Sequence, residues 1–135
     1  MDDATAKELG LRALAVGFRW APGCVATDGD ATARLTEAHG TEWWGVVGHV
    51  WSCLHLAGAW PDFRDPAAMG VLLGQFIDAW HPVRVRNGAN DEQWRLYKRA
   101  LSLAARWVGG DATVGDELIA ALVAALQAAK EVGDE

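Results

Sequence analysis

The 135-residue sequence predicts a single α+β domain, a small antiparallel sheet packed with about three helices in the order α-β-β-(β)-α-β-β-α. Three observations carry that prediction. An Asp65-Pro66 pair opens an apolar stripe of helical period, and two tight-turn signals, Asp28-Gly29-Asp30 and Asn87-Gly88, adjoin alternating segments. An Ala-rich amphipathic stretch then closes the chain. Hydrophobic residues at 51% against 22% charged ones make a globular composition, and no linker or repeat divides residues 1–135.

The first helix is expected from about Thr5 to Val16. Thr5 and Glu8 have capping-box spacing, Leu9, Ala13 and Val16 share a face, and Gly17 suits the stop. Pro22-Gly23 then reverses the chain. Cys24–Thr27 and Ala31–Glu37, on either side of Asp28-Gly29-Asp30, read as a β-hairpin. Glu42–Leu56 admits two readings. As a strand it puts Trp43, Val47, His49, Trp51, Cys53 and His55 on one side; as a helix it aligns Trp44, Val47, Trp51, Leu54 and Gly58. Gly45 and Gly48 tilt its first half towards strand.

The central helix is the clearest element. Asp65 can cap it, Pro66 suits its first position, and Met69, Leu72, Leu73, Phe76, Ile77 and Trp80 recur at spacings of three and four. Pro82 is expected to end it, giving a span of about Pro66–Trp80. Val83 and Val85 alternate with Arg84 and Arg86 as a strand entering the Asn87-Gly88 turn. Asp91–Val108 fits a helix through Trp94, Tyr97, Leu101, Ala105 and Val108, or a two-sided strand; propensity favours the helix. Thr113 and Asp116 start the last helix, whose face is Leu118, Leu122, Ala125, Leu126 and Ala129.

Composition also bounds function. The acidic start, Met1-Asp2-Asp3, is unlike a secretory signal, and neither Val46–Trp60 nor Leu118–Ala129 supplies the roughly 20 unbroken apolar residues of a membrane span, so a cytoplasmic location is expected. Cys24 and Cys53 then read as buried free thiols. A net charge of −6 argues against duplex DNA as the main partner. Within that acidic chain residues 82–106 hold Arg84, Arg86, Arg95, Lys98, Arg99 and Arg106 against only Asp91 and Glu92.

The order of elements resembles a group of small proteins encoded by phages and prophages, similar to the phage ABA-sandwich domain. The residues that carry the resemblance are Gly17-Phe18-Arg19-Trp20-Ala21-Pro22-Gly23, Pro61–Leu73 and Glu117–Leu126, about a third of the chain. It implies helices on a small antiparallel sheet, with strand for part of Glu92–Trp107 against propensity. The Trp-rich insert Glu42–Trp60 has no counterpart in it, and it supplies no catalytic residues.

The residues bear on four chemistries. Cys24, Cys53, His49 and His55 are zinc-ligand types, but no Cys-x-x-Cys or His-x-x-x-His pair anchors them, so no metal or other cofactor is expected. A Cys/His dyad lacks the electropositive setting that a thiolate needs, which ranks an enzyme third. Arg84, Arg86, Arg95, Tyr97 and Arg99 could clamp and stack an anionic nucleotide, the second reading. Eight tryptophans are more than so small a domain easily buries, and the adjacent Trp43 and Trp44 would point to opposite faces of a strand. The leading expectation is thus a non-enzymatic accessory protein of phage or prophage origin. It would touch a host or phage protein, or a second copy as a homodimer, through Trp43, Trp44 and Trp51; inhibition of a host defence system is implied only by the resemblance.

Overall fold

The chain is α+β in the computed structural model, which describes residues 1–133. Helix α1 (Asp3–Ala15) leads into a meander of strands β1 (Val25–Thr27), β2 (Thr32–His39), β3 (Glu42–Val47) and β4 (Val50–Leu54), followed by the short β5 (Trp60–Pro61). Helices α2 (Pro66–Arg86) and α3 (Asp91–Val108), a 3-10 turn (Ala112–Val114) and α4 (Gly115–Gly133) complete it. The strands form one antiparallel sheet in the order β4-β3-β2-β1-β5.

Helix α4 is the hub of the helical layer and packs against α1, α2 and α3. Its Leu118, Leu122, Val123 and Ala125 are completely buried with Leu72, Phe76 and Trp80 of α2. The inner face of the sheet closes the same core through Ala26 and Leu35, together with Phe18 and Phe63 from the connections. By length and composition alone the helical stretch Ala112–Gly133 could cross a membrane, but over half of its most apolar window is buried inside the fold, as in a core helix.

Local chemistry explains where the elements start. Asp2, rather than Thr5, caps α1 by accepting from the Thr5 amide at 2.8 Å. Asp65 caps α2 as expected, accepting from the Ala68 amide at 3.1 Å. In the first hairpin Asp28 Oδ1 accepts from both the Asp30 and Ala31 amides, which ties the loop between β1 and β2.

Two expectations fail after residue 80. The helix runs through Pro82 to Arg86, and no strand forms at Val83–Arg86. Pro82 lies on an exposed part of α2, where water can take the carbonyl it leaves unpaired, while Val83 is buried in the core. Strand alternation would have placed Val83 and Val85 on one face; helical rotation buries the first and exposes the second. Asn87 then ends α2 in the left-handed region at φ 51°. Asp91–Val108 is helical throughout, so propensity prevails over the strand that the resemblance implied. Asn90 and Gln93 form a reciprocal capping box that opens α3.

Candidate protein-binding face

Glu42–Leu54 is a hairpin rather than one long strand, and this rearranges its side chains. Gly48 has a φ of 62°, while His49 keeps a negative φ, the pattern of a two-residue type II′ turn. Val47 pairs with Val50, Val46 with Trp51 and Trp44 with Cys53. Residues that share a face therefore change parity across the turn. Trp43 and Val47 belong to the inner face, whereas Trp51 and Cys53 join Trp44 and Val46 on the outer one. The predicted one-sided set of Trp43, Val47, His49, Trp51, Cys53 and His55 is split for that reason.

Trp43 packs against the edge of the core. Trp44 and Trp51 stack on the outer face with centroids 4.4 Å apart and an interplanar angle of 25°. A bulge in β2 inserts Thr36 between Leu35 and Glu37. The Thr36 hydroxyl donates to the Trp44 carbonyl at 3.1 Å and accepts from Trp51 Nε1 at 3.2 Å. The indole pair is thus held by the sheet itself. Even so, Trp51 is 51% exposed.

Strand β4 is also the free edge of the sheet. Because Val47 and Val50 flank a two-residue turn, they form a hydrogen-bonded pair, and so does Gly45 with Ser52. Trp51 and Cys53 consequently aim their backbone N–H and C=O groups away from β3. Strand β4 itself carries no charged residue or proline, and from Trp43 to Pro61 the chain holds no Asp, Glu, Lys or Arg.

The basic stretch lies elsewhere, on α2 and α3. Tyr97 is buried against Phe76 and Trp80, with the Arg84 guanidinium 5.8 Å from its ring centre. Arg86 Nε donates to the Pro82 carbonyl of its own helix at 3.4 Å. Arg95 and Arg99 are exposed and pair with Glu92 at 3.7 Å and Glu117 at 3.5 Å. Of the five expected nucleotide-site residues, Arg84 and Tyr97 come into contact, while Arg86, Arg95 and Arg99 engage other partners.

Cys24 is buried and free, as expected, but Cys53 is exposed on the edge strand. Burial raises the Cys24 thiol above its ordinary value. Among the described residues no three His, Cys, Asp or Glu side chains gather as a metal site. Two carboxylates just before α2 are bound up in structure. Arg64 donates to Asp62 at 2.9 and 3.0 Å, and Arg34 donates to Asp65 at 2.8 and 3.2 Å; each guanidinium holds its carboxyl below the usual range. Comparison with known families, curated proteins and solved structures finds no match to the chain.

Proposed function

We propose that this protein acts by binding another protein through the outer face and free edge of the β3–β4 hairpin. The observation that carries the reading is the stacked Trp44–Trp51 pair, half-exposed at Trp51, beside an edge strand without a charge. A partner strand added to β4 would meet the Trp51 and Cys53 backbone groups, and the indoles would supply apolar contact and selectivity. The neutral edge suits an equally neutral strand, from a host or phage protein or from a second copy of this chain. An accessory role in a phage or prophage, including inhibition of a host defence system, is the biological setting that the family resemblance suggests. Cytoplasmic residence goes with that setting.

The reading is tested by affinity capture with three variants compared with the parent chain. Cys53→Pro removes an outward N–H and obstructs strand addition at the edge, while sparing the bonds to β3. Trp44→Ala with Trp51→Ala removes the apolar contact. Arg95→Glu with Arg99→Glu changes only the α3 surface. Capture of a partner that the first two changes abolish and the third preserves is the expected result. Equal capture by all three, or loss only with the arginine pair, refutes the site.

A further inference from the structure

A second feature, independent of the hairpin, lies where α2 faces α3. A groove of about 180 Å³ is lined by Phe76, Ile77, Trp80, Arg84, Tyr97 and Leu101. Its floor is Tyr97, the one of the three aromatics that keeps some exposed surface, and it is backed rigidly by the completely buried Phe76 and Trp80, whose ring centroids lie 5.6 and 4.8 Å from its own. Trp80 Nε1 donates to the Ala125 carbonyl at 2.8 Å, which fixes that indole to α4. The walls are two aliphatic side chains left in solvent, Ile77 at 53% and Leu101 at 44% exposure.

One end of the groove is cationic. Arg84 is exposed over the Tyr97 ring, and among the described residues no carboxylate pairs with it. A guanidinium lying over an aromatic ring keeps the edge of its donor fork available to an anion. His81 and Lys98 stand at neighbouring helical positions, and neither helix places Asp or Glu one turn from a lining residue. The groove therefore combines an apolar slot with a positive rim. Its volume falls below the roughly 300–1,000 Å³ of common ligand sites, so it suits one ring and excludes a whole nucleotide.

We propose that this groove binds a small aromatic carboxylate, with the ring between Ile77 and Leu101 on the aromatic floor and the carboxylate on the Arg84 guanidinium. The assignment narrows the anionic-ligand reading of the basic stretch to one of its arginines. It uses neither the hairpin face nor the free edge, so it stands or falls separately from the protein-binding function.

The test is a two-dimensional NMR titration of the labelled full chain, read at the Trp80 indole N–H, with 3-phenylpropionate as the probe and its uncharged amide as the control. The acid is expected to saturate with a Kd of about 0.1–1 mM and the amide to bind at least about 10-fold more weakly. Arg84→Gln should bring the acid down to the amide's affinity and leave the amide unchanged. Leu101→Trp should fill the slot and remove both, with thermal melts confirming that each variant is folded. Equal affinities for acid and amide, an unchanged acid Kd in Arg84→Gln, or no saturable shift up to about 10 mM would each overturn the proposal. Saturation only by a peptide with a carboxy-terminal phenylalanine would overturn it too, and would make the groove a docking point for a protein terminus.

Discussion

Asp65 joins two interactions that substitution can separate. Its Oδ2 accepts from the Ala68 amide at 3.1 Å and caps α2, while both oxygens accept from Arg34 on β2 at 2.8 and 3.2 Å. Arg34 also donates to the Gly23 carbonyl at 2.9 Å, so the pair fastens the sheet to the first turn of the longest helix. The cap is worth about 1 kcal/mol. Arg34 is half-exposed and its charge is screened, so the pair adds about 0.5–1 kcal/mol despite the two-point geometry. Asp65→Ala should therefore cost about 2 kcal/mol, and Asp65→Asn, which can still cap, less than about 1 kcal/mol. For a domain of this size these become Tm losses of about 6–8 °C and about 2–4 °C. Thermal melts by circular dichroism at pH 7 measure both. Acid gives an independent check on the sign. Arg34 holds the Asp65 carboxyl below its ordinary value of 3.8, so the pair's stabilisation is complete well above that pH and is lost as pH falls through the lower folded value. The gap between parent and Asp65→Asn should close in that acid window. If Asp65→Asn is as damaging as Asp65→Ala at pH 7, the cap contributes nothing and the division is wrong.

Three further outcomes follow from particular contacts. Gly45→Ala should destabilise the fold by about 1–3 kcal/mol in urea unfolding, because the added Cβ would press on the Arg34 carbonyl of β2 and on Leu54; an unchanged midpoint would mean that the strands can separate there freely. Pro82→Ala should raise stability by about 1–2 kcal/mol by restoring an amide to α2, also read by urea unfolding, and a loss would show that the proline ring has a packing role. With a thiol reagent at pH 8, Cys53 should react in the native protein, whereas Cys24 should wait for unfolding, being fully buried with its thiol pushed upwards. Native labelling of both at one rate would contradict the packing around β1.

The start of α2 was legible because three local signals agree there: a capping Asp65, Pro66 at the first helical position, and a stripe from Met69 to Trp80. Its end was not, because the rule that proline stops a helix is local, whereas the burial of Val83 is a tertiary fact. The same contest decided α3. Its capping box at Asn90 and Gln93 is a strong local signal, stronger than a resemblance carried by other parts of the chain. Asp2 is hard to single out as the α1 cap for a simpler reason: Thr5-x-x-Glu8 offers an equally good pattern three residues later.

The candidate face was half legible, and the missing half was the turn. Trp43 and Trp44 could be assigned to opposite sides from strand geometry alone, but Gly48-His49 reverses the chain without breaking the run of apolar residues. A two-residue loop pairs residues of opposite parity, so a continuous alternation drawn through it puts Trp51 on the wrong side. With the turn in place, Trp51 joins Trp44, and the bulge at Thr36 supplies the polar partner that an indole N–H on a sheet surface needs. The turn that obscures the pattern in the sequence also makes β4 an edge strand. Its consequence is that one structural device creates both parts of the proposed contact, the stacked indoles and the open row of backbone groups. A variant that lengthened the Gly48-His49 loop by one residue would shift the register of β4 and turn Trp51 inward, so the stacked face would be lost while β4 remained an edge strand.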